Sequence, residues 1–275
     1  MKHNIILLDG SAGTALWEAA ERQGVEKVPV WRYNIEHPEL VTELHRRYIE
    51  AGSRLIQTNT FSVNSHSVKQ SSDYSVTQVV TEAVRLAKAV TEDTDVGVYL
   101  SFGPPTMLLE PYGKLSEREL RDMYAELCTA GASAGAEYIM LETFMDLRMM
   151  RIAAQEAVQC GIPVICSMTF DKHRRTIFGD TVQKIVQTLE PLGVAGIGMN
   201  CSFGPVEGLE IMKEFNDCTD LPLYFKPNAG ISDTYDAVQF ADEIEPALDF
   251  VSYIGACCGS DASYIAELRR RITDK

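Results

Sequence analysis

Two adjacent cysteines, Cys257 and Cys258, end an apolar run in Gly255-Ala256-Cys257-Cys258-Gly259, and a third, Cys201, ends another in Gly198-Met199-Asn200-Cys201-Ser202. Neighbouring side chains on a strand point to opposite faces, so the pair serves one site only where the chain turns, which the flanking glycines allow. Three thiolates hold a soft divalent metal such as Zn2+ and leave a fourth position open, an arrangement that separates catalytic from structural zinc. On the cysteines alone, a metal centre and a set of buried apolar thiols both stand. The natural fourth ligand of such a centre is a substrate thiol. A free alkyl thiol has a pKa of ~8.5 and is only slightly ionised at neutral pH. Holding it ionised on zinc removes about 2 kcal/mol from the barrier to its attack on carbon. The five histidines (His3, His37, His45, His66 and His173) show no H-x-H or H-E-x-x-H spacing, which disfavours a histidine-based zinc hydrolase. Cys128, Cys160, Cys166 and Cys218 read as structural.

The acidic residues suggest what else the site holds. Glu142 closes the apolar run Ile139-Met140-Leu141, where a charge must be paired or must face a polar cavity. It reads either as a salt bridge at a barrel mouth or as the acceptor of a substrate ammonium group. Asp9, in Leu8-Asp9-Gly10-Ser11-Ala12-Gly13-Thr14, reads as a second acceptor or as a loop or cap aspartate. The small-residue loop through Gly13 and Thr14 leads into a helix containing Leu16 and Trp17, and its N–H groups suit a carboxylate. It lacks the spacing of a dinucleotide fingerprint or a P-loop. Acidic groups for an ammonium and free amides for a carboxylate together describe an amino-acid pocket. Asn228, in Pro227-Asn228-Ala229-Gly230, is either a turn residue or an amide oxygen that fills the metal's open position until a thiol displaces it.

These residues need a frame. Short apolar runs alternate with segments of helical period along all 275 residues. The strand segments are Ile5–Leu8, Leu55–Thr58, Val96–Ser101, Tyr138–Glu142, Val164–Thr169, Gly196–Asn200, Leu223–Lys226 and Phe250–Ile254. Helical segments lie around Val41–Glu50, Val76–Glu92, Ser116–Ala134, Leu147–Gln159, Thr181–Glu190, Val206–Asn216, Tyr235–Glu243 and Ser260–Ile272. Ser116 to Glu119 reads as a capping box. Eight such units without a linker predict a single (β/α)8 barrel domain over residues 1–275. Gly52, Gly135, Gly161 and Gly193 recur where a left-handed residue ends a helix. On this map Asp9, Asn59, Glu142, Cys201, Asn228, Cys257 and Cys258 all fall at C-terminal ends of strands, the face where barrel enzymes place their chemistry.

Net charge of −14 argues against a nucleic-acid surface or a polybasic membrane patch. No apolar stretch approaches the ~20 residues of a membrane helix. Seven cysteines, an odd number, and no export signal at the N-terminus fit a reducing compartment better than a disulfide framework, so a cytoplasmic location is expected.

The motifs Leu8-Asp9-Gly10, Thr58-Asn59-Thr60-Phe61, Glu142-Thr143-Phe144, Met168-Thr169-Phe170-Asp171, Asn200-Cys201-Ser202-Phe203-Gly204-Pro205, Pro227-Asn228-Ala229-Gly230 and Cys257-Cys258-Gly259 occur in that order. Together they resemble the homocysteine S-methyltransferase family, and most closely the homocysteine-binding module of cobalamin-dependent methionine synthase. Betaine- and S-methylmethionine-dependent enzymes belong to the same family. The resemblance implies a TIM barrel with Zn2+ on Cys201, Cys257 and Cys258. It implies homocysteine bound as a zinc thiolate and methylated to methionine, its amino group near Glu142 and Asp9. Gly13, Thr14, Asn59, Asn200 and Asn228 complete the expected substrate pocket. Three departures accompany it: Ala256 replaces a usual glycine, the segment between Gly230 and Tyr235 is shortened where a pocket lid is expected, and Trp31 and Tyr33 crowd Asn34. The chain ends soon after its last helical segment, so the methyl donor is expected to be a separate corrinoid protein, S-methylmethionine or betaine. The rival readings are a corrinoid-system subunit acting on another substrate and a non-catalytic zinc- or thiol-binding protein.

Overall fold

The computed structural model describes residues 5–230 and 235–274. Eight strands form one parallel sheet: β1 (Ile6–Leu7), β2 (Leu55–Gln57), β3 (Gly97–Phe102), β4 (Tyr138–Phe144), β5 (Val164–Met168), β6 (Gly196–Cys201), β7 (Leu223–Pro227) and β8 (Tyr253–Ile254). Their order runs β1-β8-β7-β6-β5-β4-β3-β2, with helices between them. The remaining seam is bridged by Arg54 N–H to the Leu7 carbonyl at 2.7 Å and by Gln57 N–H to Asp9 Oδ2, also at 2.7 Å. The fold is a (β/α)8 TIM barrel.

The strands are largely apolar because side chains alternate and both faces are buried. Leu8, Leu55, Tyr99, Met140, Ile165, Tyr224 and Tyr253 pack together as an inner apolar layer. Two residues further along the strands, the inward positions change character. Gln57, Ser101, Glu142, Ser167 and Lys226 are all buried and polar there, and Asn200 joins them on β6. A polar ring therefore sits on an apolar floor at the C-terminal end of the barrel.

Several local expectations are met. Ser116 and Glu119 form the capping box of helix Glu117–Ser133. Gly52, Gly135, Gly161 and Gly193 have φ of 114°, 97°, 74° and 79°. Two differ. Phe250 lies outside β8, because a 3-10 helix with Pro246 near its start runs over Glu245–Asp249. Helix Ser65–Ser71 was not legible, since only Val68 of its residues is buried; Asn64 and Ser67 cap it reciprocally. No helix among the described residues is long and apolar enough to cross a membrane.

Candidate metal centre

Cys201 is carried to the barrel mouth by an unusual strand end. Cys201 and Ser202 both have left-handed backbone, at φ 53° and 62°, which costs a non-glycine residue roughly 1–2 kcal/mol each. The Ser202 hydroxyl oxygen accepts the Phe170 N–H at 2.9 Å, tying this turn to the chain after β5. On the other side, Cys257 N–H donates to the Pro227 carbonyl and Ala229 N–H to the Cys258 carbonyl. Gly259, at φ 86°, lets the chain turn there, and a side chain on it would strike the Gly230 backbone 2.6 Å away.

The three sulfurs converge. Cys201 Sγ lies 2.7 Å from Cys257 Sγ and 4.0 Å from Cys258 Sγ, and the last two are 4.0 Å apart. Tetrahedral zinc with Zn–S bonds of ~2.3 Å needs sulfurs about 3.8 Å apart, so two separations fit and the third opens by about 1 Å. Among the described residues, this is the group of three His, Cys, Asp or Glu side chains gathered closely enough to hold an ion. All three cysteines are half-buried, and all their donors are soft. Contact with the other two sulfurs raises the pKa of Cys201, while thiol hydrogen bonds from Cys201 and Cys257 lower that of Cys258. Crowded thiols resist joint ionisation, and a divalent cation relieves that resistance. The donor set fits zinc.

Asn200 braces the centre. Its Oδ1 accepts Thr143 N–H at 2.9 Å and the Ser167 hydroxyl at 2.7 Å; its Nδ2 donates to Thr143 Oγ1 at 2.8 Å and to Cys201 Sγ at 3.6 Å. Thr143 itself has φ 65°, at an irregularity in the β4–β5 register between Leu141 and Phe144. That bulge turns the strand end beside Glu142.

A cavity of about 330 Å3 opens on the sulfurs. It is lined by Gly13, Thr14, Asn59, Glu142, Asn200, Cys201, Cys257 and Cys258 among the residues expected from sequence, together with Trp17, Phe61 and Lys226. Glu142 is buried; its Oε2 accepts the Tyr224 hydroxyl at 2.8 Å, and its Oε1 makes no hydrogen bond of ordinary geometry, although the Ser101 hydroxyl also acts on the carboxylate. Burial raises its pKa, opposed by the charge of Lys226 and the Tyr224 hydrogen bond. Asn228 Oδ1 is likewise buried without a partner, although Asn228 does not line the cavity. Asn59 uses its Nδ2 on the Val30 carbonyl and Asn34 Oδ1.

Two features expected beside the pocket stand back from the cavity. Trp31 and Tyr33, the bulky neighbours of Asn34, are fully packed in the core, and of this stretch only Val30 reaches the cavity. Asp9 does not line the cavity either: its oxygens take Gln57 N–H at 2.7 Å, Tyr99 O–H at 2.8 Å and Lys226 Nζ at 3.0 Å. Lys226 escaped sequence reasoning, although it closes an apolar strand just as Glu142 does. The shortened segment at residues 231–234 lies outside the described residues.

The sequence pattern of homocysteine S-methyltransferases matches residues 6–272. Methionine synthase of Mycobacterium leprae is 29% identical over 297 aligned residues, covering 98% of this chain and 24% of that protein. Methionine synthase of Mycobacterium tuberculosis is 26% identical, covering 100% and 25%. The chain thus spans about a quarter of the length of these relatives. The metallated form of the homocysteine methyltransferase MmuM from Escherichia coli shares the fold, with a TM-score of 0.80 at 21% identity over 98% of this chain and 97% of that one. The chain belongs to the homocysteine S-methyltransferase family.

Proposed function

We propose that this protein is a zinc-dependent methyltransferase that methylates homocysteine, or a closely related thiol, to the thioether, with Cys201, Cys257 and Cys258 holding the metal. The observation that carries this reading is the convergence of three sulfurs beside a buried carboxylate oxygen that makes no hydrogen bond of ordinary geometry, Glu142 Oε1, in one cavity. Zinc bound there supplies the Lewis acidity that keeps a substrate thiol ionised at neutral pH. The chain's own groups do the rest. Glu142 receives the substrate ammonium group, and Asn200 holds Cys201 and Thr143 in their strained conformations. Gly13 and Thr14, at the uncapped start of helix Gly13–Arg22, offer N–H groups to a carboxylate. In the transfer, a sulfur lone pair forms the bond to the methyl carbon while the electrons of the donor–methyl bond leave with the donor.

Trp17 and Phe61 line the cavity yet remain 38% and 44% exposed. Aromatic faces at a mouth suit a cationic methyl donor such as betaine or S-methylmethionine as well as the apolar surface of a separate corrinoid-carrying protein, so the donor is identified by turnover. The reading predicts one zinc per chain, lost in Cys258→Ala, and release of a proton when homocysteine binds the zinc-loaded protein at neutral pH. Turnover with methylcobalamin, S-methylmethionine or betaine identifies the donor. A zinc-loaded protein that binds no homocysteine contradicts the reading.

A further inference from the structure

Lys226 is the least expected member of the polar ring. It is 2% exposed, on the inward side of β7, and its stem passes over Gly255, where a side chain would stand 3.2 Å from Lys226 Cγ. A lysine ammonium has three N–H donors. Two are engaged: Nζ donates to Asp9 Oδ1 at 3.0 Å and to Tyr99 Oη at 2.9 Å. Asp9 does not require this lysine for its hydrogen bonds, because Gln57 N–H and Tyr99 O–H already reach its two oxygens. A buried ion pair is a weak source of stability, since desolvating both charges offsets most of their attraction. Lys226 nevertheless lines the cavity, while Asp9 does not. Glu142 faces the same cavity with Oε1 making no hydrogen bond of ordinary geometry. The cavity therefore meets its occupant with one acidic and one basic group, both buried.

We propose that Glu142 and Lys226 together read a zwitterion, Glu142 Oε1 taking the substrate's ammonium group and the third N–H of Lys226 taking an oxygen of its carboxylate. Lys226 is thus a specificity-determining residue, the group that separates a thiol carrying a carboxylate from an amine thiol that lacks one. A carboxylate has two oxygens, so the second remains available to the N–H groups of Gly13 and Thr14, which line the same cavity. This assignment rests on the reading of the site as a thiol methyltransferase centre.

The test is binding of three thiols to the zinc-loaded protein by calorimetry, which needs no methyl donor. The probes are homocysteine, 3-aminopropane-1-thiol, which lacks the carboxylate, and 4-mercaptobutanoate, which lacks the amino group. Lys226→Met is expected to weaken homocysteine and 4-mercaptobutanoate by about tenfold or more, the size of a charged hydrogen bond, while 3-aminopropane-1-thiol binds no worse than to the wild type. Because that variant leaves Asp9 buried and unpaired, the double variant Asp9→Asn with Lys226→Met restores the charge balance and should show the same selective loss. Equal weakening of all three thiols in the double variant overturns the proposal and leaves Lys226 as a partner of Asp9 only. If the wild type binds none of the three thiols, the thiol reading itself falls and takes the proposal with it. If it binds them with no preference for homocysteine, only the zwitterion assignment falls.

Discussion

Asn200→Ala tests whether the strained strand ends are held for the metal. The Asn200 side chain is buried and makes four polar contacts, two to Thr143, one to Ser167 and one to Cys201. Truncation leaves Thr143 N–H and the Ser167 hydroxyl without their acceptor, at about 1–3 kcal/mol for each buried group, with Thr143 at the low end because it is only part-buried. Thr143 then relaxes from φ 65°, returning roughly 1–2 kcal/mol. The net expectation is a loss of about 1–2 kcal/mol in the metal-free protein, read by urea denaturation. Cys201 also loses its N–H···S contact and the brace on its backbone. Zinc affinity, measured by competition with a chelator, should fall by about 10–100-fold, as it does when ligand-supporting groups are removed elsewhere. Ser167→Ala, which removes one of these hydrogen bonds, should lose about 1 kcal/mol and keep its zinc affinity. Unchanged zinc affinity in Asn200→Ala, whatever its stability, would refute the reasoning.

Other outcomes follow from buried ionisable groups. Burial raises the pKa of Glu142, with a smaller upward push from Cys257, against Lys226 and Tyr224 pulling it down. Only the carboxylate form accepts an ammonium group. The preference for homocysteine over 4-mercaptobutanoate should therefore shrink as pH falls through that raised value, and Glu142→Gln should abolish both the preference and its acid dependence. His45 is fully buried with Nε2 unpartnered, and burial lowers its pKa to about 4 despite an opposing pull from Asp9. The unfolded histidine titrates near 6.5, so between ~6.5 and 4 the unfolded chain binds a proton that the folded one refuses. Stability should fall as pH drops through that window, by about 3 kcal/mol in all, and His45→Leu should flatten the slope in a pH series of urea denaturations.

Much of this site was legible in the residues, for physical reasons that also explain what was not. Strands buried on both faces read as short apolar runs, so all eight strands stand near their expected places; the largest difference is at β8, where Phe250 looks like strand until Pro246 is weighed. Cys201, Cys257 and Cys258 stood out because each follows an apolar run beside glycine or a turn residue, and the fold brings them together as expected. Glu142 stood out as a charge closing a strand. Lys226 carries the same signal, two residues beyond the inward Tyr224 just as Glu142 lies two beyond Met140, and extending the period-two reading to β7 would have found it. Asp9 shows the opposite limit. Its motif says that a carboxylate stands at the mouth, but which partner it meets depends on Tyr99, Gln57 and Lys226, residues 48 to 217 positions away, whose approach only the closed barrel determines.

The most direct test of the central claim is X-ray absorption at the zinc edge of the zinc-loaded protein, before and after homocysteine is added. The account predicts three sulfur ligands and one lighter ligand before, and four sulfurs near ~2.3 Å after. A shell that stays at three sulfurs, with homocysteine present at saturating concentration, contradicts it.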